Sequence, residues 1–129
     1  MANKYVLAVG ALFGLTAVIL GAFGAHALKE SLSVENLKTF ETGVKYQIYH
    51  ALLLLFIGST NYLTNSAKFL LLYLIIGGIV LFSGSIYGLA TNSLTSFDFK
   101  KIGFITPIGG LLLIVSWGIL LVKFLKLKA

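Results

Sequence analysis

The sequence predicts an all-α polytopic membrane protein, an antiparallel bundle of four transmembrane helices with a short amphipathic helix between spans one and two. Hydrophobic residues make up 58% of the 129 residues and charged residues only 11%, against about 25% charged residues in a soluble domain. The apolar residues fall in four runs separated by short polar stretches. A chain of this composition cannot cover a water-soluble surface, so we expect a single membrane domain over residues 1–129.

The first apolar run, residues 5–28, is long enough to cross a hydrocarbon core, which takes about 20 helical residues. Ala25-His26-Ala27 has the form of a signal-peptide cleavage site, but the run exceeds the apolar region of about 7–15 residues typical of a signal peptide. We therefore expect an uncut helix. Small residues recur along one face of it at helical spacing, which favours close approach of another helix. They are Gly10, Gly14, Ala17, Gly21 and Ala25.

The polar stretch that follows predicts a short amphipathic helix over residues 33–45. Ser33 is a typical helix cap, and Glu35 in the first turn suits the positive end of the helix dipole. This helix either ends before the second span, residues 46–63, or continues into it through Gly43.

The third span is predicted over residues 69–90 and the fourth over residues 102–122. Pro107 lacks a backbone donor, so in a helix beginning at residue 102 the carbonyl of Gly103 would have no partner and the helix would open at this point. Four residues are expected to allow close helix packing in these two spans: Gly84, Gly88, Pro107 and Gly110.

Polar residues of all four spans fall in one leaflet when they are placed by depth, at about 1.5 Å per helical residue. The other leaflet is predicted to be almost purely apolar. Because a polar side chain facing lipid costs several kcal/mol, these groups are expected to face a shared interior and to form a polar pocket. The predicted pocket comprises His26, Glu41, Tyr46, Gln47, His50, Ser83, Ser85, Tyr87 and Thr106.

The two histidines allow three interpretations. His26 and His50 either hydrogen-bond a neighbouring helix, form a proton-responsive or ligand-holding pair, or contribute to a metal site with a carboxylate. Nothing in their spacing forces them together. The hydroxyls of Ser83, Ser85 and Thr106 are most simply bonded to helix carbonyls. We predict no catalytic residue, no metal site and no cofactor.

The net charge of +6 comes entirely from lysine and favours attraction to anionic lipid headgroups over nucleic-acid binding. The lysines divide equally between the two membrane faces, so the positive-inside rule does not decide the orientation. All four acidic residues lie on the side opposite the termini, which favours cytoplasmic termini. The expected partners are membrane lipids and a larger membrane complex or a second copy of the chain.

Several motifs resemble the YgdD-like family of small bacterial membrane proteins. They are Gly21-Ala22-Phe23-Gly24-Ala25-His26, Tyr46-Gln47-Ile48-Tyr49-His50, Phe82-Ser83-Gly84-Ser85-Ile86-Tyr87, Thr106-Pro107-Ile108-Gly109-Gly110 and Trp117. The resemblance implies an uncut first helix and a compact bundle of four spans in the cytoplasmic membrane. It implies no activity, because the family is uncharacterised.

The sequence therefore favours a binding or accessory protein for a lipid, a hydrophobic small molecule or a partner membrane subunit, and not an enzyme. The alternative is a small transporter or proton-conducting element that uses His26 and His50. A metal-dependent membrane enzyme is the third hypothesis.

Overall fold

The computed structural model describes residues 1–128, and over this range the chain is helical and has no β-strand. Two short 3₁₀ turns, Asn92–Leu94 and Phe99–Ile102, connect the last two long helices. The long helices are α1 (Lys4–His26), α2 (Val34–Ser59), α3 (Asn65–Ala90) and α4 (Ile105–Leu125).

Three of the long helices, α1, α3 and α4, are long and apolar enough to cross a membrane. The remaining helix, α2, is 26 residues long, but polar residues such as Lys45, Gln47 and His50 lower its hydropathy. Length and composition alone therefore assign three helices as spans, one fewer than the four predicted.

The amphipathic segment predicted for residues 33–45 is the first part of α2 rather than a separate helix. The predicted cap is confirmed, because the Ser33 hydroxyl oxygen accepts from the Asn36 amide at 3.1 Å. The helix then runs through Gly43 without a break, since Gly43 lies against the ring of Tyr87 and is enclosed by tertiary packing. The polar and apolar halves of α2 thus form one rod.

The opening predicted around Pro107 does not form. Helix α4 begins at Ile105, so Pro107 lies in the first turn, where backbone amides have no partner within the helix and a proline is tolerated. The Gly103 carbonyl is occupied, because it accepts from the Thr106 amide at 3.3 Å.

Each long helix packs mainly against its neighbour in sequence: α1 on α2, α2 on α3 and α3 on α4, with only a light contact between α1 and α3. Helices α1 and α2 are antiparallel, since Gly10 lies against Leu54 and Gly24 against Phe40. The main core is centred on α2 and α3, where Leu54, Ile57, Leu71 and Ile75 are fully buried.

The small residues of α1 are used inside the chain. A Cβ added at Gly10 would lie 3.0 Å from the Leu54 Cβ, closer than most Cβ contacts, so glycine favours this close approach of α1 to α2. Gly14 and Gly21 lie on the same interface with looser contacts, since a Cβ added at these positions would lie 3.8 and 3.4 Å from α2 side chains.

The glycines of α3 and α4 behave differently from one another. Gly84 is exposed and a Cβ there would meet nothing within 4 Å, so the prediction that it packs against another helix is wrong. Gly88 lies against the ring of Phe99 in the α3–α4 connection, and a Cβ at Gly110 would lie 3.4 Å from the Phe82 ring.

Candidate functional site

A buried amide on α2 connects three helices. Gln47 donates to the Phe13 carbonyl at 3.0 Å and to the Thr16 hydroxyl at 2.7 Å, both on α1. Its side-chain oxygen accepts from the Tyr87 hydroxyl of α3 at 2.6 Å. Because Gln47 is only 4% exposed, these three bonds occupy the amide from both sides and leave it no open face.

The hydroxyls predicted for the polar pocket also bond between helices. Ser83 of α3 donates to the Gly43 carbonyl of α2 at 2.8 Å, and Ser85 of α3 lies 2.5 Å from the Thr106 hydroxyl of α4. Each of the three helix interfaces around α2 and α3 therefore carries at least one polar contact at this depth.

His50 has both ring nitrogens occupied. Nδ1 lies 2.7 Å from the Tyr46 carbonyl, and Nε2 lies 3.1 Å from the indole nitrogen of Trp117 on α4. A carbonyl only accepts and an indole N–H only donates, so the proton belongs on Nδ1 and the lone pair on Nε2 receives the indole. This assigns a neutral imidazole that links α2 to α4.

Two members of the predicted pocket lie apart from the rest. His26 and Glu41 are exposed, and His26 lies ten residues beyond Thr16, about 15 Å along α1 from the level of Gln47. The structure brings together Tyr46, Gln47, His50, Ser83, Ser85, Tyr87 and Thr106 as interhelical contacts and does not bring the two histidines together.

No buried side-chain nitrogen or oxygen in residues 1–128 lacks a hydrogen-bond partner. The polar groups at this depth thus satisfy one another, as a membrane interior requires. Within the same residues, no three His, Asp or Glu side chains converge as a metal site would need. This cluster joins helices and does not present an open polar pocket.

An apolar groove lies between α2 and α4, next to this cluster. It consists of two cavities of about 290 and 400 Å³ that share Trp117 as a common wall. We call it the α2–α4 groove. Its lining is aromatic and aliphatic apart from His50 and the glycine backbone: Tyr46, His50, Leu53, Phe56, Phe82, Gly110, Leu113, Ile114, Trp117, Leu120, Leu121 and Phe124.

The end of the bundle that holds the termini carries a second buried polar cluster, at Lys68, one residue before the predicted third span. Lys68 is 1% exposed, and its ammonium donates to the Met1 carbonyl at 2.6 Å and to the Gly58 carbonyl at 3.3 Å. The sequence carries a signal for this burial, because Lys68 precedes Leu71, Leu72 and Ile75 at spacings of three, four and seven on the core face.

These features define a small all-helical membrane protein whose buried polar groups are paired and whose α2–α4 groove is mainly apolar. The chain belongs to the family described as protein of unknown function DUF423, whose model matches residues 20–110. The resemblance to YgdD-like proteins is thereby confirmed.

Relatives align over nearly the whole chain. A UPF0382 membrane protein of Staphylococcus epidermidis is 42% identical over 127 residues, covering 95% of this chain and 97% of the relative. The UPF0382 membrane protein YwdK of Bacillus subtilis is 38% identical, covering 95% and 98%. The UPF0382 inner membrane protein YgdD of Escherichia coli is 33% identical, covering 99% and 95%. No solved structure matches the chain.

The Trp117–His50 bond can be followed by fluorescence, because Trp117 is the single tryptophan of the chain. We expect His50→Phe to shift the Trp117 emission to shorter wavelength, since the indole N–H loses its acceptor. The control is His26→Phe, which changes the other, exposed histidine and should leave the emission unchanged. Equal spectra for the two variants would contradict the bond.

Proposed function

We propose that the chain crosses the bacterial cytoplasmic membrane four times, with α2 as the second span. The support is the packing of α2 along the full length of α1: Phe40 lies against Gly24 at one end, and Gly58 lies against Leu7 at the other. Because α1 is long and apolar enough to span, a helix that accompanies it from end to end crosses the same hydrocarbon layer.

We further propose cytoplasmic termini. Even numbers of crossings put both ends on one face, and the acidic residues Glu30, Glu35, Glu41 and Asp98 all belong to connections or helix starts of the opposite face. The terminal face therefore has the higher net positive charge, although the lysines alone are evenly divided.

We propose that the protein is a binding module whose α2–α4 groove holds a linear hydrocarbon chain of a lipid or lipid-like small molecule. The observation that carries this proposal is the lining of the two adjoining cavities: it is mostly aliphatic and aromatic, and its polar side chains are Tyr46 and the His50–Trp117 pair, which hydrogen-bond each other. On α4 the lining runs from Gly110 to Phe124, about 21 Å of helix. A long, mainly apolar groove open to the bilayer suits an acyl or isoprenoid chain.

The bonding of His50 argues against the proton-conducting alternative. Each ring nitrogen already has a partner, so His50 has no free lone pair to receive a proton from a relay. His26 is exposed and about 15 Å along α1 from the level of the buried cluster. The groove, in contrast, needs no rearrangement to admit an apolar chain.

Filling the groove tests this proposal. Ile114 lines the groove and is 69% exposed, whereas Leu111, one turn away on α4, is 58% exposed and lies outside the lining. We expect Ile114→Trp to lower the retention of a bound lipid chain about fivefold, equivalent to about 1 kcal/mol, and Leu111→Trp to leave it unchanged. Native mass spectrometry of the protein released from detergent measures the fraction that carries a bound lipid.

Equal retention in the two variants would contradict the groove as the binding site. A species with the mass of two protein molecules that disappears only in Ile114→Trp would instead assign the groove to a second copy of the protein. Either outcome would leave the four-span topology untouched, because the two proposals rest on different contacts.

A further inference from the structure

The terminal face of the protein carries cations without acidic side chains. Five lysines lie at this end of the bundle, at or just beyond helix ends, while all four Asp and Glu residues lie at the other end. The lysines are Lys4, Lys68, Lys123, Lys126 and Lys128.

One of these cations is enclosed by the fold. Lys68 is 1% exposed and its ammonium is held only by the neutral carbonyls of Met1 and Gly58. A buried charge is costly unless an opposite charge compensates it, and no carboxylate side chain is present at this end. The positive charge at this face therefore lacks a counter-charge within the side chains of the protein.

A cavity of about 260 Å³ lies at the same end, between the starts of α1 and α3. Its polar wall includes Lys4 and Asn65. The Asn65 side-chain oxygen is occupied by the Asn3 amide at 3.0 Å, so the N–H groups of Asn65 are the atoms left to bind a ligand. Both side chains offer donors and suit an anion.

The remaining wall of the cavity is aromatic. The rings of Tyr5 and Phe69 lie 6.4 Å apart between centroids, and the Lys4 ammonium lies 5.2 Å from the centroid of the Tyr5 ring. Aromatic rings beside a lysine are typical of the boundary between headgroups and hydrocarbon. A ligand here meets donors on one side and apolar rings on the other.

We propose that this cavity binds the phosphate of an anionic phospholipid, with the start of its acyl chains against Tyr5 and Phe69. The assignment rests on charge complementarity: a cationic face without acids, a polar wall of donors, and an apolar wall that free phosphate would not use. This site is separate from the α2–α4 groove, so either proposal stands without the other.

The test is titration of the detergent-solubilised full chain with phosphatidylglycerol, followed by native mass spectrometry. Lys4→Gln removes a charge inside the cavity, and Lys126→Gln removes one from the same face outside it. We expect Lys4→Gln to weaken binding at least about tenfold through loss of a charge-assisted hydrogen bond, and Lys126→Gln to weaken it no more than about fivefold.

A substitution that leaves the net charge unchanged distinguishes binding in the cavity from general electrostatic attraction of the lipid to the cationic face. Asn65→Ala leaves the net charge unaltered, and we expect it to weaken phosphatidylglycerol binding about fivefold through loss of one hydrogen bond. Equal effects of Lys4→Gln and Lys126→Gln, with none for Asn65→Ala, would overturn the site in favour of diffuse attraction. Binding of inorganic phosphate as tightly as phosphatidylglycerol would overturn its assignment to a phospholipid, because the apolar wall would then contribute nothing.

Discussion

Gly109→Ala is expected to destabilise the protein by about 3 kcal/mol, at the upper end of the cost of overpacking. A Cβ at this position would fall on the Phe82 amide nitrogen and would lie 2.6 Å from the Leu81 carbonyl carbon, both in the backbone of α3. Backbone atoms inside a helix cannot move aside as a flexible side chain can. Helices α3 and α4 must therefore separate along their shared interface. The free energy of unfolding, measured by SDS titration from mild detergent micelles, checks this result.

The matched control is Gly84→Ala on the facing helix. Gly84 lies in the same membrane region, but a Cβ there would meet nothing within 4 Å. Since alanine is also the better helix former, Gly84→Ala should leave the stability unchanged or raise it slightly. Similar losses for both variants would mean that helix flexibility, and not the close approach at Gly109, determines the effect.

This pair of glycines indicates how far the sequence predicts the fold. The four helices, their antiparallel order and the small-residue face of α1 follow from apolar run lengths and helical spacing. Which glycine makes a contact does not follow, because spacing identifies a face without its partner. The sequence predicts close packing at Gly84 and Gly110, yet the rotation of the helices about their axes puts Gly109 against the α3 backbone and leaves Gly84 exposed.

The polar residues of the candidate site show the same limit: the sequence predicts their depth but not their partners. Depth alone predicts that Gln47, His50, Ser83 and Tyr87 lie at one level of the bundle. Depth does not distinguish an open pocket from a set of mutual hydrogen bonds, because both require the groups to face inward. His26 lies at the same end of the bundle as these residues but outside its interior, because it is the last residue of α1 and is exposed there.

Lys68 was harder to predict for a different reason. Lysines at the ends of apolar runs usually extend to the headgroups, and that rule holds for most lysines here. Lys68 departs from it because the backbone carbonyls of Met1 and Gly58 reach its ammonium at the end of the bundle. Those carbonyls come from parts of the chain 67 and 10 residues away, a pairing that only the fold specifies.

Gln47→Leu is expected to destabilise the protein by about 2 kcal/mol, because it removes all three interhelical hydrogen bonds of the Gln47 amide, each worth about 0.6 kcal/mol within a membrane. Two of the lost bonds are to side chains: the Tyr87 hydroxyl donates to Gln47, and the Thr16 hydroxyl accepts from it. Leucine fills a similar volume, so the change tests bonding more than packing. The free energy of unfolding in micelles is again the measurement.

A double-mutant cycle with Tyr87→Phe isolates the bond at the centre of this network. If the Tyr87 hydroxyl is bonded only to Gln47, then Tyr87→Phe costs less in the Gln47→Leu background than alone, by about 0.6–1.7 kcal/mol. Additive losses would show that the two side chains act independently. In that case the Tyr87–Gln47 bond would contribute nothing to holding α3 to α2, and the interhelical bonds of Ser83 and of Gln47 with α1 would be the polar contacts left to join α2 to its neighbours.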